Sequence, residues 1–178
     1  MSSTGTSFLP GSVEVRLIGG PTALIEMGGV RLLTDPTFDP PGDHPVGNRV
    51  LVKTHGPAVA PDGIGPVDAV LLSHDQHPDN LDDTGRRLLD TVPVVLTTGS
   101  AASRIGGTTK ALAPWRRALL PRPAARAARI LEAPVVIPLH VEGWKHFTQG
   151  PETIAPAFAR HGATGQLRLL APGESTTT

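Results

Sequence analysis

The sequence predicts an α/β protein, a β-sheet with helices packed outside it. The first third consists of short runs that alternate apolar and polar residues, separated by glycine pairs and Gly-Pro. From Val67 onward the pattern becomes strand, loop, helix, strand. Gly and Pro together number 39 (20 and 19), against four Phe, two Trp and no Tyr, so the core must be aliphatic and the turns many.

Val13 to Ile18 reads Val-Glu-Val-Arg-Leu-Ile, the period-two pattern of a half-buried strand. Gly19-Gly20-Pro21 turns the chain, and Thr22 to Met27 forms a second strand. Gly28-Gly29 suits a two-residue hairpin turn, because glycine reaches the positive φ such turns need. Val30 to Thr34 returns as a third strand and ends at Asp35-Pro36, completing an antiparallel meander. Asp39 to Gly63, rich in Pro, Gly and Asp, is expected to be an extended loop in which His44 and His55 are solvated. Ala69–Leu72 is then a buried strand, Asp82–Leu89 a helix, and Val92–Thr97 the next strand. Asp82 or Asp83 caps that helix, where a carboxylate suits the positive end of the helix dipole. A helical segment at Ala124–Leu131 precedes a last strand at Val135–Leu139. One domain over 12–172 is expected, between disordered tails at 1–11 and 173–178.

Composition narrows the function. At 178 residues the chain is long enough for one domain with a real core. Lys plus Arg and Asp plus Glu are both 16, which gives no electrostatic footprint for nucleic acid. Charge is nonetheless uneven: seven Asp fall between Asp62 and Asp90, whereas Thr91 to Leu131 contains no acid. That second window carries Arg104, Lys110, Arg116, Arg117, Arg122, Arg126 and Arg129. It reads as a solvated helix with flanking loops in preference to a phosphate-binding face. No aromatic platform accompanies the arginines, as a single-strand binder would need. The absence of Cys excludes disulfides and thiolate metal sites, so any metal must be held by His, Asp, Glu, Asn or water. Met1 to Gly11 lacks the basic and apolar regions of a signal peptide, and no apolar stretch is long enough to span a bilayer. A cytoplasmic protein with no stable membrane insertion is expected.

The chemistry concentrates between Val67 and Asp83. The strand at 69–72 runs into a loop carrying His74, His77, Asp79 and Asn80. Imidazoles and carboxylates suit zinc, and also manganese or iron. Such an ion acidifies bound water and polarises the bond to be cleaved. The spacing of His74, His77 and Asp79 lets all three converge on one ion; the ordinary alternative is a solvated turn with an Asx-type cap. His146 and His161 read as solvated, and Trp144 and Phe147 as covering the core edge. Ile105-Gly-Gly-Thr-Thr-Lys lacks phosphate-loop spacing, and Ser73 lacks a nucleophile-elbow setting.

Two blocks carry a resemblance: Leu24-Ile-Glu-Met-Gly-Gly-Val-Arg-Leu-Leu-Thr-Asp-Pro-Thr-Phe38, and Val67-Asp-Ala-Val-Leu-Leu-Ser-His-Asp75. With Val135-Val-Ile-Pro-Leu-His140 and Glu142-Gly-Trp-Lys-His-Phe147, they make the chain similar to the metallo-β-lactamase fold superfamily. The branch it most resembles includes ascorbate-6-phosphate lactonase and N-acyl phosphatidylethanolamine phospholipase D. The resemblance implies an αββα sandwich and hydrolysis of a small-molecule ester, lactone or phosphodiester by a metal-bound hydroxide. It also implies that His140 is the last metal ligand and that Asp35 supports the site without ligating.

The superfamily's signature is His-x-His-x-Asp-His, and this loop departs from it. Anchored on His74, the second histidine falls on Gln76; anchored on Asp79, the second is His77 and the third Asn80. A one-residue expansion of the loop reconciles the two. After Leu112-Ala-Pro-Trp115 nothing matches the family's further histidine or its bridging aspartate, so the second half of the sandwich is expected to be incomplete. At most one ion is implied, zinc first, held by His74, His77 and His140, with Asp79 as a further ligand or the catalytic proton acceptor. The alternative is a catalytically degenerate relative acting as a binding module or a non-functional remnant. Its exposed sheet would favour homo-oligomers.

Overall fold

A computed structural model describes residues 13–27, 29–112 and 134–177. The meander forms as its alternation requires, with β1 (Val13–Gly19), β2 (Thr22–Met27) and β3 (Val30–Thr34) antiparallel. Val15 lies opposite Ile25, and Leu24 opposite Leu33. Then β6 (Ala69–Leu71), β7 (Val95–Thr97) and β8 (Thr109–Ala111) add in parallel beyond β3. With β9 (Ser175–Thr177) beside β1, the described residues form a seven-stranded mixed sheet of order β8-β7-β6-β3-β2-β1-β9.

Helices α1 (Asp83–Leu89) and α2 (Gly99–Ile105) follow β6 and β7 as crossover elements. Each starts on a side-chain cap: Asp82 accepts from Gly85 N, and Thr98 from Ala101 N. Leu33, Val70 and Val95 are fully buried and form the centre of the core, with Phe38, Leu81 and Leu89 around them. Burying such side chains stabilises the fold by roughly 1.5–3 kcal/mol each. A second, smaller cluster joins Phe158 of α3 (Pro151–Arg160) to Ala163, Val136 and Leu167. Among the described residues no helix is long and apolar enough to cross a membrane.

Three sequence expectations are corrected. The loop expected at 39–63 holds a hairpin, β4 (Gly42–Val46) and β5 (Arg49–Lys53). Gly47 takes φ +57° in the two-residue turn. β4 reads Gly-Asp-His-Pro-Val, which has no alternation to detect. The strand expected at Val135–Leu139 shrinks to one parallel bridge from Val136 to Leu167. Pro134 precedes that run and Pro138 lies inside it, and neither can donate a ladder hydrogen bond. The tail expected to be disordered from 173 instead ends in β9 (Ser175–Thr177), which pairs with β1. The tail expected at 1–11, Gly28, the helix expected at Ala124–Leu131 and the arginines from Arg116 to Arg129 lie outside the described residues.

Asp39 ties the loop after β3 to α1. Its carboxylate accepts from Thr84 N at 3.0 Å, Thr84 Oγ1 at 2.5 Å and Asp83 N at 3.2 Å. Burial raises the Asp39 pKa, but the bonds from Thr84 and Asp83, helped by nearby His44, outweigh it and hold the carboxyl below its ordinary value. A depressed folded-state pKa contributes stability above the unfolded carboxylate pKa of about 3.9, and that stability is lost as pH falls through the folded value. Asp39→Asn puts an amide donor against these N–H groups. It is expected to cost about 1–2 kcal/mol in urea denaturation at pH 7, with the gap to wild type narrowing below pH 4. A gap that does not change with pH would show that the Asp39 charge is not what the cap uses.

Candidate metal centre

The candidate site lies at the C-terminal ends of β3 and β6, where loops leave a parallel sheet and ligands of α/β folds commonly bind. β3 delivers Asp35, β6 delivers Ser73 to Asn80, and the segment after residue 134 brings His140 and His146. Asp35 is the hub. Its Oδ1 accepts from Ser73 N at 2.6 Å, and its Oδ2 accepts from Asn80 Nδ2 at 3.3 Å and lies 4.0 Å from His140 Nε2. Asn80 Nδ2 also reaches Ser73 Oγ at 3.0 Å and His140 Nε2 at 3.2 Å. Two amide hydrogens facing three acceptors must share them.

Asp35 and His140, the facing members of this group, are the only non-glycine residues with positive φ among the described residues, at 27° and 61°. Left-handed backbone at a non-glycine residue costs on the order of 1–3 kcal/mol and persists where the surroundings enforce it, often at functional sites.

Two further pairs flank the hub. His74 Nε2 lies 3.3 Å from His77 Nδ1, and Ser73 Oγ lies 3.0 Å from His74 Nδ1. Asp79 Oδ2 lies 2.9 Å from His146 Nε2. Asp79 is buried, and its Oδ1 has no hydrogen-bond partner among the described residues. The loop is pinned from outside by a bidentate Arg104–Asp75 pair and by Arg86 Nη2 donating to Asp75 O. The Arg104 hydrogen bond holds the Asp75 carboxyl below its ordinary pKa.

The four residues expected to share one ion are therefore divided. His74 faces His77, Asp79 faces His146, and His140 faces Asn80 and Asp35. Among the described residues no three His, Asp or Glu side chains converge as a ready metal cage. His146, expected to be solvated, is a partner of Asp79. The adjacent Trp144 and Phe147 were the available signal, since their rings pack against it. His44 packs at a tilt against Trp144, ring centroids 5.2 Å apart, and the His55 ring meets Thr54 Oγ1 at 3.0 Å.

The donors fit a single cation in kind. The set is imidazole and carboxylate, and one buried carboxylate oxygen has no partner among the described residues, as a cation would use it. Two nitrogens about 2.0–2.1 Å from one tetrahedral ion stand about 3.3–3.4 Å apart, the separation of the His74–His77 pair. They do not fit a second ion, since Asn80 commits its amide to the hub.

No protein-family model and no curated protein matches the chain. Solved structures do. An isothiocyanate hydrolase from Delia radicum gut bacteria superposes with TM-score 0.71 at 13% identity, over 92% of this chain and 98% of that one. Igni18, a metallo hydrolase from the archaeon Ignicoccus hospitalis, gives 0.65 at 13% identity over 94% and 98%. A protein described as a possible metal-dependent hydrolase from Veillonella parvula gives 0.65 at 10% identity over 94% and 99%. At such identities the likeness is one of fold. The chain has a mixed α/β fold that these three hydrolase structures share.

Proposed function

We propose that this chain is a metal-dependent hydrolase that cleaves a small-molecule ester, lactone or phosphodiester, with the loop 73–80 as its site. The observation that carries this is Asp79, a buried carboxylate with one oxygen unpartnered among the described residues, facing His146 at the C-terminal edge of parallel strands. Zinc suits the donor set best, with manganese or iron as alternatives. When bound, the ion supplies Lewis-acid polarisation and a nucleophilic water at neutral pH. The chain supplies the frame. Asp35 fixes Ser73 and Asn80, Arg104 fixes Asp75, and the half-exposed His140 leaves the mouth open to solvent. What supports this substrate class is the resemblance of residues 24–38, 67–75 and 135–147 to the branch that includes a lactonase and a phospholipase D.

Metal analysis of protein purified without chelator tests the reading, alongside His74→Ala and His140→Ala. Wild type is expected to carry up to one ion per chain and to hydrolyse p-nitrophenyl esters or bis-p-nitrophenyl phosphate. Chelation should abolish that activity and added Zn2+ restore it. The His140→Ala variant should lose at least about tenfold in activity. Wild type with no more metal than the variants sinks the proposal.

A second reading, a degenerate binding module, is favoured by one observation: Asn80 spends its amide on Asp35, Ser73 and His140, at a position where an imidazole could have ligated. Folded, metal-free and inactive wild-type protein is the outcome that would select it.

A further inference from the structure

We infer that His140 serves the site as a neutral imidazole with its proton on Nδ1, a hydrogen-bond donor to a substrate oxygen, and that Asn80 is the positioning residue that sets it so. This rests on the hydrolase reading above and gives His140 a different task from the ligation that the resemblance implies.

The Asp35 carboxylate decides which way the Asn80 amide faces. Its oxygens only accept, so the group 3.3 Å from Oδ2 is the amide nitrogen; the amide oxygen there would set two acceptors against each other. The same nitrogen stands 3.0 Å from Ser73 Oγ and 3.2 Å from His140 Nε2. Ser73 can accept from it, because the hydroxyl proton has an outlet in His74 Nδ1 at 3.0 Å. A proton on His140 Nε2 would point at the amide hydrogens instead. Asp35 Oδ2, 4.0 Å away, is beyond hydrogen-bond reach and offers that proton no alternative. Nε2 is therefore an acceptor, and the neutral ring carries its proton on Nδ1.

The ring is held on its other sides as well. His140 keeps its left-handed backbone while its N–H donates to Gly20 O at 3.1 Å, and Phe147 packs at a tilt against the ring, centroids 5.2 Å apart. Asn80 is buried and cannot turn away without giving up its bond to Asp35. The His140 side chain is 35% exposed, and Nδ1 has no partner among the described residues. One fixed N–H is thus left for a ligand at the mouth of the site. It suits the carbonyl oxygen of an ester or lactone, or a non-bridging oxygen of a phosphodiester. Its bond strengthens as negative charge builds on that oxygen, and no proton is transferred.

The rival accounts are a His140 that ligates a metal and a His140–Asn80 contact that is only structural. Long-range proton–nitrogen NMR correlations of the isotope-labelled full chain, stripped with chelator, report the tautomer of each histidine. The His140 signals are identified by their loss in His140→Asn. Wild type should show the Nδ1–H form, Asn80→Ala should show both forms, and added Zn2+ should leave the His140 pattern unchanged. In assays of the metal-loaded chain, His140→Ala should keep the wild-type metal content, with kcat lowered at least about tenfold and KM little changed. His140→Asn, whose amide reaches as far as Nδ1, should recover part of kcat. A wild-type ring protonated at Nε2 overturns the assignment. If Zn2+ shifts the Nε2 signal, or His140→Ala loses its metal, His140 is a ligand and the inference falls while the hydrolase reading stands. If His140→Ala turns over like wild type, the contact is structural and the substrate role falls. If wild type is metal-free and inactive, the hydrolase reading falls and takes the substrate role with it, and the spectrum still decides the tautomer.

Discussion

Replacing Asp82 by Ala is expected to destabilise the protein by about 3–5 kcal/mol, the cost of leaving a buried charge without its partner. The Asp82 side chain is fully buried, and Lys53 is nearly so, with Nζ 3.0 Å from Asp82 Oδ2. The same carboxylate accepts from Asp39 N at 2.7 Å and caps α1 through Gly85 N at 2.8 Å. The substitution therefore strands an ammonium and two backbone donors at once. Lys53 also lies over the Trp144 ring at 5.6 Å, so the damage should spread toward the turn that carries His146. Urea denaturation measures the loss. Pairing Lys53→Met with Asp82→Asn, which keeps a capping oxygen and removes both charges, should be milder than Asp82→Ala alone. A loss below about 1 kcal/mol for Asp82→Ala would mean that Lys53 reaches water.

Much of this framework could be read from the sequence. The alternation of Val13–Ile18 and of the strands after it is legible because one sheet face is buried and the period is two. The helix start at Asp82 is legible because a capping carboxylate before an apolar run has a local cause. The β4–β5 hairpin escaped because its strands are held by pairing and by Lys53 and Trp144, not by an apolar pattern of their own. Val135–Leu139 misled because five aliphatic and proline residues look like a strand until the missing donors of Pro138 and Pro134 are counted. The candidate site divides the same way. His74, His77 and Asp79 are neighbours in sequence and were expected to act together, yet the loop points them into separate pairs. The partner Asp79 does find is 67 residues away, a distance over which residue spacing carries no signal. Asp35 was legible only through Asp-Pro; its contacts with Ser73, Asn80 and His140 depend on β3 and β6 being parallel neighbours.

Gly85→Ala is expected to cost roughly 2–3 kcal/mol, although helix propensity alone predicts a gain of nearly 1 kcal/mol. Gly85 sits inside α1, where its backbone is helical and alanine is normally preferred. The obstacle is steric. A Cβ there would stand 1.9 Å from Pro36 O and 2.7 Å from Pro36 C, backbone atoms that cannot swing aside as a side chain could. Either α1 withdraws from the sheet or the Asp35-Pro36 turn moves. Because Asp35 holds Ser73 N and the Asn80 amide, a moved turn loosens the hub under the 73–80 loop. The variant should therefore lose stability and metal affinity together, whereas Asp39→Asn, which weakens the cap without displacing Pro36, should lose mainly stability. Thermal unfolding with a Co2+ titration on both variants checks this. A Gly85→Ala protein as stable as wild type would show that α1 does not approach Pro36 this closely, and the account of how Asp35 is positioned would fail with it.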